Sequence, residues 1–175
     1  MKRSHLTSLA LLAGLFLAAS GCVTESLEEK DMVNELQNTE IQRRIDEIEF
    51  MQGRELMQNL ERLARLRDDA YPLMREALAS HPNDHTRSSL IYVFAAIGDR
   101  RNIPYIRPQL EHPSPKVRYE AAATLVEMGD SEGFPVLVEG LSNDELRWRF
   151  KCFEALRAAT GQDFGYDHLT DDELA

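Results

Sequence analysis

The chain has 175 residues, with 30 Asp plus Glu against 20 Lys plus Arg and a net charge of −10 at pH 7. That balance argues against nucleic acid as a partner, because binding along phosphates needs a positive footprint. It also argues against flat adsorption on anionic lipid, and two cysteines, Cys22 and Cys152, supply no disulfide framework for the fold to rest on.

Lys2 and Arg3 open the chain, and an uncharged, mostly apolar run covers residues 6–19. A helix that spans a bilayer needs roughly 20 apolar residues, so this run is too short to cross comfortably. A basic start, a short apolar core and the small residues Ala19, Ser20 and Gly21 have the form of a secretory signal.

The four residues Ala19-Ser20-Gly21-Cys22 resemble a bacterial lipobox, with Ala19 where that signal usually carries Leu. The resemblance implies removal of residues 1–21 and a Cys22 that carries a diacylglycerol thioether and an N-acyl chain. Several acyl chains anchor firmly where one binds only marginally. The alternative is an ordinary signal cleaved near Ala19 that leaves Cys22 as a free thiol. Val23 follows the cysteine where a retention signal resembling that of inner-membrane lipoproteins would place Asp, which points to the outer membrane and its periplasmic side. The mature chain of 154 residues would carry 18 basic and 30 acidic residues, a net charge of −12, and is long enough for one domain with a substantial core.

Residues 22–53 read as an acidic helical linker or stalk. Val33, Leu36, Ile41, Ile45 and Ile48 give partial helical periodicity amid heavy charge, polar up to about Thr39, and Gly53 offers a break. A coiled coil over 27–51 is the alternative, but its apolar spacing lasts for too few heptads to favour it.

From residue 54 the chain repeats. Arg87, Arg118 and Arg149 are 31 residues apart. Leu90, Ala121 and Cys152 hold a second register, and Phe94, Leu125 and Leu156 a third. Ile97-Gly98-Asp99 and Met128-Gly129-Asp130 close the first two copies, and Thr160-Gly161 closes the next one residue late. Tyr71-Pro72, Ile103-Pro104 and Phe134-Pro135 recur after the breaks. Each unit predicts an apolar helix, a glycine stop, a proline in the first turn of a second helix, and a polar turn such as His81-Pro82-Asn83-Asp84 or His112-Pro113-Ser114-Pro115. Pro108 falls inside a second helix and predicts a bend or an early end there. A single helix pair cannot bury its apolar face, so the units must stack. The units run over about 54–86, 87–117, 118–148 and 149–167, and residues 168–175 form an acidic tail.

Val117-Arg118, Ala121-Ala122, Leu125, Met128-Gly129-Asp130, Pro135 and Leu137 resemble the short form of the HEAT repeat, as does the closing run from Thr160-Gly161 to Phe164-Gly165. The resemblance covers roughly residues 54–167. It implies an all-α fold, a short solenoid of stacked helix pairs behind a helical N-terminal segment, of the kind that serves mainly as a protein-binding surface. The same short repeats resemble those of phycobilin lyases, which offers a cofactor-handling enzyme as the alternative function.

The candidate residues divide by position. The second helix of each unit commonly lines the inner surface of such solenoids, which selects Arg75, Glu76, Arg107, Gln109 and Glu139 with Tyr105 as an aromatic anchor. Arg87, Arg118 and Arg149 are expected to form a structural ladder with acids of adjacent units, among Asp84, Asp99, Asp130 and Asp144. Cys152 sits in a core register and is expected to be buried and inert. His81, His85, His112 and His168 lack the convergence a metal site needs, and the acids from Asp163 to Glu173 lack the spacing of a calcium loop. No motif argues for catalysis, a metal or a bound cofactor. The expectation is a membrane-tethered, non-catalytic scaffold for a protein partner in the cell envelope.

Overall fold

The computed structural model describes residues 27–162 and Gly165. The expected signal peptide, Cys22, the expected acidic tail and His168 lie outside the described residues. The chain divides after Glu40 into two compact units. Within the first, residues 27–40 are helical, and Leu27, Met32, Val33 and Leu36 are 55–65% exposed.

The second unit begins with helical residues 41–46 (α1) and a 3-10 turn, Glu47–Phe50. Then come α2 (Gly53–Leu66), α3 (Tyr71–Ser80), α4 (Asp84–Ile97), α5 (Ile103–Ile106), α6 (Pro115–Glu127), α7 (Gly133–Gly140) and α8 (Leu146–Thr160). No strand occurs among the described residues. The longer helices α2, α4, α6 and α8 pack side by side in chain order, and the shorter α3, α5 and α7 fill in against them. This is a short α-solenoid of helix pairs.

Local chemistry sets each boundary. The Asn83 side chain accepts from the backbone N–H groups of His85 and Thr86 and caps α4. Gly98 and Gly161 end α4 and α8 in the left-handed region, at φ 67° and 71°, where a side chain would be strained. Pro108 acts as its position requires. The α-helical bonding of α5 ends at Ile106, and the chain continues as a 3-10 helix, Arg107–Glu111.

One core runs from Ile41, Ile45 and Ile48 through Leu63, Met74, Leu90 and Phe94 to Leu125. A second gathers Tyr119, Ala122, Leu137 and Cys152. Close approach at the second depends on missing side chains. A Cβ added at Gly133 would lie 2.3 Å from the Ala122 carbonyl oxygen, and one at Gly140 would lie 2.3 Å from Cys152 Sγ. The residues at both ends of α7 are therefore glycine because α6 and α8 leave no room for anything larger.

Candidate functional site

The repeated arginines act on the backbone. Each is the fourth residue of its helix, and each reaches back to the turn before it. Arg87 Nε donates to the His81 carbonyl at 2.5 Å. Arg118 Nη1 donates to the carbonyls of His112 at 2.9 Å and Pro113 at 3.3 Å. Arg149 Nη1 donates to those of Asn143 at 2.9 Å and Asp144 at 3.0 Å. The sequence suggested acids of adjacent units as partners of this ladder; the contact shared by all three rungs is with backbone carbonyls of the turn that closes the preceding unit. These carbonyls lie at or just beyond the C-terminal end of the preceding helix, where orphan acceptors and the helix dipole both favour a cation.

The residue whose carbonyl is held also shapes the turn with its side chain. His81 Nδ1 accepts from the Asn83 N–H and His112 Nδ1 from the Ser114 N–H, each at 3.1 Å. Asn143 Oδ1 accepts from the Glu145 N–H at 3.0 Å. Positions 81, 112 and 143 are thus one position in the repeat, filled by His, His and Asn. Each supplies an acceptor two residues ahead and a carbonyl six residues before an arginine.

On the face of the second helices, the expected binding residues are largely engaged within the stack. The Arg75 guanidinium lies 4.9 Å from the Tyr71 ring centre and 4.3 Å from that of Tyr105. Its Nε and Nη2 donate to Asn102 Oδ1 at 3.0 and 2.8 Å. Tyr71 donates to Asp99 at 3.0 Å, and Arg101 pairs with both Asp99 and Asp68 at 2.6 Å. The Arg101 guanidinium holds the Asp99 carboxyl well below the usual carboxylate range. Arg107 reaches Asp130 at 2.7 Å and Glu132 at 3.2 Å. Gln109 is buried and accepts from Arg87 at 3.4 Å. Glu76 and Glu139 are exposed. The structure therefore brings Arg75 and Tyr105 together, uses Arg107 and Gln109 in contacts with neighbouring helices, and leaves Glu76 and Glu139 apart.

An open surface lies on the other layer. A groove of about 1190 Å³ runs over α4, α6 and α8, floored by Ala95, Ala96, Ala123 and Ala158 and flanked by Tyr92 and Phe150. Tyr92 and Phe150 are 43% and 48% exposed. A smaller groove of about 590 Å³ between α2 and α4 shares Tyr92 and Ala96 with it. Lys151 bridges to Glu120 at 2.7 Å within the larger groove, whereas Glu127 stands exposed on its rim. Sequence reasoning missed this face. A signal was present in Ala96 and Ala158, which occupy one register two repeats apart, but alanine at helical spacing reads first as core.

Groups with nucleophilic or ligating chemistry are otherwise engaged. Burial pushes the Cys152 thiol up to about 12, so it carries no thiolate at neutral pH. His85 joins Lys116 Nζ at 2.9 Å through Nδ1 and the Met51 carbonyl at 3.3 Å through Nε2. Among the described residues no group of three His, Cys, Asp or Glu could hold a metal ion, and no helix is long and apolar enough to cross a membrane.

The architecture and its repeated turn define a short helical-repeat protein. Residues 71–157, from α3 into α8, match the family model for HEAT repeats. A curated relative, the phycocyanobilin lyase subunit alpha of Pseudanabaena tenuis (strain PCC 7409), is 32% identical over 78 residues, covering 42% of this chain. The chain spans 29% of the length of that relative. No solved structure matches.

Proposed function

We propose that this protein is a non-catalytic, protein-binding scaffold, held at a membrane of the cell envelope by lipid on Cys22. The observation that carries the binding role is the groove over α4, α6 and α8. It combines a floor of small side chains with two half-exposed aromatic residues, the composition that suits anchor residues of a partner. Arg75 and Arg107 of the opposite face are already engaged in holding the stack, which favours the groove as the contact surface. A photoreactive residue at Phe150 in cells is expected to give a discrete protein adduct, and Ala158→Glu, which fills the floor with a charge, is expected to abolish it. An adduct pattern unchanged by Ala158→Glu would remove the groove from the proposal.

The tether has its own test. Intact mass spectrometry of the membrane fraction is expected to find a chain that begins at Cys22 with added acyl groups, lost in Cys22→Ala. An unmodified or soluble chain would overturn the anchor and leave the scaffold in place. The similarity to the lyase subunit favours a second reading, in which the groove receives a tetrapyrrole. A shifted visible absorption band on mixing with a bilin would support it, and an unshifted band would dismiss it.

A further inference from the structure

The smaller groove differs in charge from the rest of this acidic chain. Its floor is Leu60, Ala64, Val93 and Ile97, while Arg54, Arg65 and Arg67 stand along it against one acid, Glu61. Arg65 is partly engaged in an exposed pair with Glu61 at 2.6 Å, the kind of contact that contributes little and yields readily to a competitor. Arg54 and Arg65 mark the two ends of the outward face of α2, eleven residues apart. At 1.5 Å rise per residue that is about 16 Å.

The helical residues 27–40 present the inverse pattern. They carry five acids and one lysine. Glu29, Val33, Leu36 and Glu40 follow one line along a helix, at i, i+4, i+7 and i+11, with Met32 beside them. The stripe is thus apolar in the middle and acidic at both ends, and its acids are the same eleven residues apart as Arg54 and Arg65. Val33 and Leu36 are 56% and 65% exposed. Exposed large apolar groups in a row on so charged a helix mark a contact surface more than a solvated one.

We infer that the groove between α2 and α4 receives residues 27–40 of a second copy of this chain, with Glu29 and Glu40 against Arg54 and Arg65 and with Val33 and Leu36 over the apolar floor. Exchange in both directions gives a two-fold dimer in which the same patch is used twice. Equal spacing of the charges permits either direction of the bound helix, and the apolar residues between them fix its depth. The inference is independent of the lipid anchor.

The test uses two differently tagged full-length copies in one cell, one bearing Leu36→Cys and the other Ala64→Cys, so that the two introduced cysteines cannot bridge within one chain. Mild oxidation is expected to yield a disulfide-linked heterodimer carrying both tags. Reversal of the groove charges, Arg54→Glu with Arg65→Glu, is expected to lower the yield at least tenfold. Glu29→Lys with Glu40→Lys on the other copy is expected to restore it. Val138→Cys, exposed on α7 in the opposite layer, reports random collision. The inference is overturned by absence of the heterodimer, by an equal yield from Val138→Cys, or by a yield indifferent to charge reversal.

Discussion

The two halves of the solenoid keep one repeat register and are joined by different chemistry. Around α3 and α5 the joint is polar: Arg75 lies against Tyr71 and Tyr105 and binds Asn102, while Arg101 links Asp68 to Asp99. Around α6, α7 and α8 the joint is steric: Gly133 and Gly140 let α7 approach the Ala122 carbonyl and Cys152, and the Tyr119 and Trp148 rings meet at 6.1 Å. A helical repeat therefore constrains where neighbours meet and leaves open how they bond. The first joint should respond to charge and pH, the second to volume.

The largest effects are expected in the steric half. Gly133→Ala sets its methyl against a backbone oxygen of α6, which cannot rotate away. It should cost about 3 kcal/mol, the upper part of the usual range for overpacking, read from urea unfolding followed by circular dichroism. Gly140→Ala meets a side chain, Cys152, and should cost about 2 kcal/mol. Cys152→Ala removes the obstructing sulfur, so the double variant should lose less than the sum of the single ones. Strict additivity would mean that Cys152 is not what Gly140 accommodates.

Next in size is the carbonyl-binding arginine. Arg118→Gln removes a cation that serves two carbonyls at the end of the preceding turn. A hydrogen bond to a charged group contributes about 1.5–3 kcal/mol, so a loss near 2 kcal/mol is expected. Lys should recover part of it, because an ammonium keeps the charge without the planar fork. An acid-pairing arginine would instead lose its effect in high salt. The loss here should persist at 1 M salt, since its acceptors are neutral.

Sequence made the fold legible to the extent that a side chain alone decides the outcome. The 31-residue register, the stops at Gly98 and Gly161 and the early end of α5 before Pro108 follow from backbone sterics that a residue type imposes wherever it stands. The acceptors of Arg87, Arg118 and Arg149 were illegible for the opposite reason: a carbonyl belongs to every residue, and no pattern of letters marks it. The equivalence of Asn143 with His81 and His112 was hidden because two different side chains supply one acceptor. The groove was hidden too, because Ala96 and the fully buried Ala121 look alike until the layers are assembled.

The polar half should weaken in acid. Asp99 has its folded pKa lowered below 3.8, chiefly by the Arg101 hydrogen bond. Its contribution is therefore complete above the unfolded value and disappears as pH falls through the folded one. Asp99→Asn should be less stable at neutral pH and should flatten the acid limb below about pH 4. Gly140→Ala, which meets Cys152 and not a carboxylate, should leave the Asp99-dependent part of that limb in place.

The smallest effect sharpens the comparison at the turn that both halves share. Burial lowers the His112 pKa from 6.5, as expected for a ring whose Nδ1 must stay unprotonated to accept the Ser114 N–H. The unfolded chain then takes up its proton first as the solution is acidified. Stability attributable to this turn is complete above about pH 6.5 and falls as pH drops from there through the lower folded value. His112→Asn installs the residue already used at position 143, which accepts the same N–H without titrating. It should keep neutral-pH stability and remove this part of the pH dependence, read from melting temperatures between pH 5 and 8. His112→Ala should lower stability at every pH, because the turn loses its acceptor altogether. If Asn behaved like Ala, the turn would need the imidazole itself, and the equivalence of the three positions would fail.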